Sequence, residues 1–440
     1  MKSISASLLL AILLNFCPYN ALKAGITYPE SRREPAGDTI LPLPEQPRTD
    51  RYFSDLLEQA PEELKQFLHH ADSLRIQIIF TRIDRAADNT PAFTRYFYHV
   101  TPGRYFYPAS TVKLPVALLA LQRLNELKVY NLDEFSTMIT ESTSSRQTPV
   151  YNDPAYPDGR PSVAGYIKKI LLVSDNDAFN RLYEFLGQEY VNRTLHAMGY
   201  QATDILHRLS LFLSEEENRR TNPVTFLGVA GKTLYSQPMQ VSVMPYPLRK
   251  DSIGKAHYTG STLVSGPMDF SKKNRILLED LTSILQSVIF PASVPQKQRF
   301  NIRPDQYAFL LKYMSQYPTE TTYPTLDSSM QQDAFVKFLL HGATKTPLPK
   351  TLRIFNKVGD AYGFLTDVAY VADLENKVEF MLSASIYCNT DGILNDSRYD
   401  YETIGFPFMK LLGNYIYEVE KKRKRTRLPD LSKFSIHYDK

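Results

Sequence analysis

The chain has 440 residues, 43% hydrophobic and 22% charged, with 51 Lys and Arg against 47 Asp and Glu. That length suffices for a sizeable core, in two or three domains or in one elaborated domain. A formal net charge of +4 gives no ground for a nucleic-acid partner, and none is expected.

In chain order, Lys2 precedes the apolar run "SLLLAILL", then polar residues and "NALKAG". The run is too short to span a bilayer, so residues 1–24 read as a secretory signal peptide cut near Ala24, with no transmembrane span afterwards. Cys17 offers a lipid-anchor alternative, which Phe16 fits poorly because the processing site wants a small residue. Cleavage after Ala24 leaves Cys388 as the single cysteine, which excludes an intrachain disulfide and a cysteine metal centre. The eight histidines show no HExxH-type spacing, and His69-His70 adjoin on a presumed surface helix. No metal or other cofactor is expected.

Residues 25–50 are rich in Pro and charge and read as an extended leader; with the helical spacing over 51–71 they make a leader-and-helix segment, 25–70. "LRIQIIFTRID" (74–84) and "FTRYFYHV" (93–100) predict two strands, and the stretch from Ser110 to Glu126 predicts a helix. Residues 125–345 read as mostly helical, with periods in "SVAGYIKKILLVSDNDAFNRLYEFLG", "ILLEDLTSILQSVIF", "PDQYAFLLKYMSQ" and "DAFVKFLLHG". The stretch 254–274 has weak periodicity and reads as loop. Three β-type runs follow, "TLRIFNKVG", "YGFLTDVAYVAD" and "KVEFMLSASIY", then a helix from Tyr401. The basic run Lys421 to Arg425 reads as the cationic close of that helix. Strands at both ends with helices between predict an α+β fold. In it a discontinuous sheet-containing lobe (71–112 with 346–425) sits beside a helical lobe (113–345), and 426–440 forms a tail.

Three short motifs carry chemistry. Ser110-Thr111-Val112-Lys113 opens the apolar helix. A serine there is ordinarily an N-cap. A lysine at i+3, however, shares its face, and burial would lower the lysine's pKa until it could accept the serine proton. Ser174-Asp175-Asn176 reads alone as a turn or cap, and Lys357-Val358-Gly359 as part of a hairpin.

Together and in this order, these pieces resemble the serine β-lactamase and penicillin-binding-protein superfamily, most closely the class A β-lactamase type, over residues 71–425. The likeness is weakest over 230–345, which looks expanded. It implies a β-lactamase/transpeptidase-like fold: an antiparallel sheet from both chain ends, flanked by helices, with a helical lobe from the middle of the chain. It also implies work outside the cytoplasm, in the periplasm, on a small β-lactam or a cell-wall peptide. By that likeness Ser110 is the acylated nucleophile, Lys113 its proton acceptor, Ser174 the relay to the leaving nitrogen and Asn176 a ligand of the acyl amide. Lys357 supplies charge for the substrate carboxylate, and the N–H groups of Ser110 and Asp360, beside Gly359, form the oxyanion hole.

Two departures stand out. Val358 lacks the hydroxyl usual between Lys and Gly. Ser210 falls where class A enzymes carry the deacylating glutamate, which leaves Glu215, Glu216 and Glu217 as candidates for that base. The implied activity is a β-lactam-opening serine hydrolase with slow deacylation. A D-Ala-D-Ala-type peptidase, another amidase or esterase, and a binding module without turnover stay open beside it.

Overall fold

Proline cannot donate a helical N–H and fits only at a helix start. Pro61 accordingly divides the helix predicted over 51–71 into α1 (Arg51–Glu58) and α2 (Glu62–Leu68) in this computed structural model. The structure describes residues 47–440 apart from Ser145 and Pro247, so the signal peptide, Cys17 and most of the leader lie outside the described residues. The two predicted strands follow as β1 (Gln77–Arg85) and β2 (Pro91–Tyr98). A 3₁₀ turn, Ala109–Val112, leads into α3 (Lys113–Leu127). Next come β3 (Thr137–Thr140), α4 (Val163–Val173), α5 (Asn176–Leu186), α6 (Gln188–Ala197) and α7 (Glu215–Arg219). Six short strands are grouped as β4 (Val224–Leu227), β5 (Thr233–Gln237), β6 (Ser252–Ile253), β7 (Ala256–Thr259), β8 (Thr262–Ser265) and β9 (Met268–Asp269). Helices α8 (Leu278–Ile289) and α9 (Pro304–Ser315) precede β10 (Leu352–Ala361), β11 (Phe364–Asp373), β12 (Val378–Tyr387) and β13 (Ile393–Leu394). A π turn, Tyr401–Gly405, opens α10 (Phe406–Lys422).

The two chain ends build one antiparallel sheet in the order β10-β11-β12-β1-β2. Side chains alternate across it with period two. Ile78 and Phe80 of β1, with Leu365, Ala369 and Val371 of β11, face a layer that includes Phe53, Leu64, Phe408 and Leu412 of α1, α2 and α10. Ile79, Ile83, Val368 and Tyr370 face the opposite layer, with Leu118, Phe179, Leu281 and Leu310 of α3, α5, α8 and α9. Both faces of β11 and β12 are therefore covered, and every residue of both strands is buried. The basic run does close α10: Arg423 and Arg425 both reach the buried Glu420 at 2.8 Å.

Two expectations need correction. The middle of the chain is less helical than its periods predict. β3, β4 and β5 form a small sheet, β13, β7 and β8 another, and β6 pairs with β9. The 254–274 stretch is thus not simply loop: β7 and β8 form a hairpin turned by Gly260-Ser261, with Gly260 at φ +60°. Every residue of β8 is exposed, so it lacks the alternation by which a half-buried strand is recognised. Residues 333–342 are a string of turns and not a helix. The buried Asp367 carboxylate takes the N–H groups of Phe338 and Leu339 at 3.2 and 2.9 Å, and Leu340 turns to φ +69°.

Candidate active site

Ser110 caps no helix. It lies in the 3₁₀ turn ahead of α3, where no side-chain cap bond forms. Its Oγ instead lies 2.8 Å from Lys113 Nζ, as the i, i+3 spacing requires. Ala109, just before it, holds φ +46°, a backbone that costs a non-glycine residue about 1–3 kcal/mol. The Lys113 side chain is fully buried. Its nitrogen also meets the Ser174 carbonyl, Ser174 Oγ at 3.3 Å and Asn176 Oδ1 at 2.7 Å.

The Ser-Asp-Asn stretch works both as punctuation and as lining. Ser174 ends α4 at φ +56°, and the Asp175 carboxylate caps α5 by accepting from Ala178 N at 2.7 Å. This reversal turns the Ser174 carbonyl and hydroxyl and the Asn176 amide toward Lys113. From β10, Lys357 Nζ donates to Ser174 Oγ at 2.8 Å and to the Val358 carbonyl at 2.9 Å. One serine hydroxyl thus joins both lysines.

Burial sets their charge. It pushes Lys113 well below the ordinary lysine range, and the nearby Lys357 charge pushes the same way; Asp175 and Asp360 oppose it. Burial lowers Lys357 to about 7, against the pull of Asp360 and Asp367. A neutral amine has two N–H donors and one lone pair. On Lys113 the donors suit the Ser174 carbonyl and Asn176 Oδ1, which leaves the lone pair for the Ser110 proton.

Gly359 brings the strand to the turn that carries Ser110. A Cβ there would lie 2.6 Å from the Pro108 carbonyl and 2.9 Å from the N atoms of Ser110 and Thr111. Only glycine lets β10 approach that turn so closely. Asp360 follows at the cleft rim. Val358 points the other way, into the layer with Leu365, Ile386 and Phe408. The absent hydroxyl at 358 is therefore not a gap in the cleft.

Residues 65–244, which hold Ser110, Lys113, Ser174 and Asn176, match the β-lactamase enzyme family. Over that stretch the chain is similar to that family. No curated protein sequence matches it. Among solved structures it is similar to a β-lactamase from Chitinophaga pinensis, at 11% identity, with 82% of this chain and 99% of that one covered and a TM-score of 0.45. A PBP-A mutant in an acyl-enzyme complex with penicillin G gives 14%, 84%, 97% and 0.46. A class A β-lactamase from Clostridium kluyveri gives 14%, 80%, 98% and 0.43. These likenesses are weak, and no residue role is taken from them.

Ser110 opens onto a cleft of about 950 Å³. Tyr107 forms part of its wall, packed edge-on to Tyr362 at 5.0 Å and stacked on His207 at 6.2 Å. Ser210 also lines the cleft, at φ +56°, and its Oγ accepts from Asn176 Nδ2 at 2.8 Å. The loop that carries it is pinned at its root. The buried Arg208 pairs with the buried Glu184, and the Asn180 amide bonds both the N–H and the carbonyl of Leu209.

The three acids on that loop are engaged elsewhere. Glu215 lines the cleft but pairs with Lys272 at its rim. Glu216 is exposed and pairs with Arg220. Glu217 closes a capping box with Ser214 and faces Arg146 at 3.3 Å. None of them bonds Ser110, Lys113, Ser174 or Asn176 among the described residues. The sequence reading missed Tyr107, His207, Lys273 and Tyr362, all of which line the cleft. Tyr107, three residues before Ser110, offered the clearest signal.

Proposed function

We propose that this chain is an exported serine hydrolase that forms an acyl-enzyme at Ser110 with a β-lactam or a cell-wall peptide and releases it slowly. The observation that carries this reading is the buried Lys113, 2.8 Å from Ser110 Oγ and joined through Ser174 to Lys357. Neutral Lys113 takes the Ser110 proton as Oγ attacks the amide carbonyl. The tetrahedral oxyanion forms beside the Ser110 and Asp360 N–H groups. Ser174 passes a proton to the leaving nitrogen, and Asn176 holds the acyl amide. The cleft belongs to both segments expected from the sequence, the discontinuous sheet lobe (71–112 with 346–425) and the helical lobe (113–345). The Lys2-led apolar start supports export to the periplasm.

A second reading, a penicillin-binding module without turnover, is favoured by one observation. Ser210 rather than a carboxylate faces Asn176. A fluorescent penicillin separates labelling from its absence. It should label the wild type, and Ser110→Ala should abolish the label. Equal labelling of both would sink the assignment of Ser110.

A further inference from the structure

The cleft beside Ser110 has room beyond a scissile amide and an uneven choice of aromatic residues. At about 950 Å³ it lies near the top of the range for small-molecule sites, about 300–1,000 Å³. Six tyrosines line it against one phenylalanine, Phe212, although the chain holds 24 Phe beside 29 Tyr.

Five of these tyrosines form one connected line. Tyr107, three residues before Ser110, packs edge-on to Tyr362 at 5.0 Å. Tyr362 turns the chain from β10 into β11 at φ +53°, a strained backbone for a bulky residue. The next residue, Gly363, donates its N–H to Tyr401 Oη at 3.0 Å, and Tyr401 packs on Tyr399 at 5.6 Å. Tyr399 Oη accepts from Asn395 N at 3.1 Å, and Asn395 Nδ2 donates to the Tyr258 carbonyl at 3.0 Å. Tyr258 stands on β7, outside the 65–244 stretch that matches the family. The line therefore leads from the segment that carries Ser110 out to the exposed β7–β8 hairpin.

Their hydroxyls can serve a ligand. Those of Tyr107, Tyr258 and Tyr362 bond no protein group among the described residues. They are not sealed in the core, as the unpartnered hydroxyls of Tyr166, Tyr183 and Tyr200 are. Those of Tyr399 and Tyr401 accept backbone N–H groups and keep their own protons to donate. A phenol offers an apolar face and a polar edge. A pyranose ring has the matching pair, with C–H groups on its faces and hydroxyls round its rim. A purely apolar group would be served as well by phenylalanine, and an anion better by a guanidinium.

We infer that this tyrosine line is a saccharide subsite and that the preferred substrate is a glycopeptide. Its peptide reaches Ser110, and its sugar lies against Tyr362, Tyr399 and Tyr258. This rests on the acyl-enzyme reading above and selects, among the substrates open to it, a cell-wall peptide that still carries its sugar.

The test is competition against fluorescent-penicillin labelling by a cell-wall pentapeptide, free or joined to its disaccharide. The quantity of interest is the ratio of the two concentrations that halve the labelling rate. On the wild type the disaccharide form should compete at a concentration about tenfold lower. Tyr258→Ala should remove most of that advantage, while Tyr258→Trp, which keeps a face and a polar edge, should retain it. Tyr399→Ala carries the same test if the Tyr258 variant does not fold. Equal competition by the two forms on the wild type, none by either, or an advantage that survives both alanine substitutions overturns the subsite and leaves the acyl-enzyme reading standing. No labelling of the wild type overturns both.

Discussion

Two lysines joined by one serine hydroxyl invite a test by pH. Lys113 must be neutral to accept a proton, and it is held well below the ordinary lysine range. Lys357 must be charged to hold Ser174 and keep Lys113 neutral, and it loses its proton at about 7. The acylation rate should therefore trace a bell whose alkaline limb lies near that value. Lys357→Arg, which stays charged, should move the limb upward; a limb that stays put assigns it to another group. A third buried lysine tests stability. Lys337 donates to the Met314 and Ile354 carbonyls and to Asn356 Oδ1, and burial lowers it to about 7. Its folded pKa lies below its unfolded value, so the unfolded chain binds the extra proton between the two. Stability should then rise with pH from about 7 toward about 10.4, by on the order of 4–5 kcal/mol. Denaturant melts across that window should show a flatter rise in Lys337→Met.

At the scale of elements, the contact of β10 with the Ala109–Val112 turn matters most. Gly359→Ala places a Cβ against three backbone atoms that cannot rotate away. It should cost about 1–3 kcal/mol and slow acylation strongly, as read by thermal melts and labelling rates on the same sample. Val358→Thr should leave labelling no faster, because that side chain enters the α10 layer. The Ser210 loop gives a further prediction. Arg208→Met leaves Glu184 buried without its partner, a loss of about 3–5 kcal/mol, and proteolysis near 211–214 should quicken. These elements also show what was legible in the sequence. Ser110 with Lys113, and Ser174 with Asn176, sit one helical turn or less apart, so local spacing suffices to pair them. The five-stranded sheet was legible because its strands are rich in β-branched and aromatic residues and are bounded by turns. The orientation of Val358 was hidden, since it depends on which sheet face β10 turns to the cleft. Lys273 was hidden too. Its place depends on short ribbons, β6 with β9 and β7 with β8, whose exposed residues leave no periodic signal.

For the whole molecule, acylation and release draw on different parts. The groups proposed to acylate stand on the Ala109–Val112 turn, α3, the α4–α5 junction and β10. On the proposed reading, release depends on the loop after Arg208, where Ser210 offers no carboxylate. A missing general base typically costs about 10²–10⁴-fold, so release should limit turnover, and Ser210→Glu should speed it. The most direct measurement of the central claim is a time course of intact mass for the mature protein with excess penicillin, run beside Ser110→Ala. The account predicts that one penicillin equivalent appears on the wild type, maps to Ser110 and persists, while Ser110→Ala stays unmodified. An equal adduct on Ser110→Ala, or penicillin hydrolysis that survives that substitution, would contradict it.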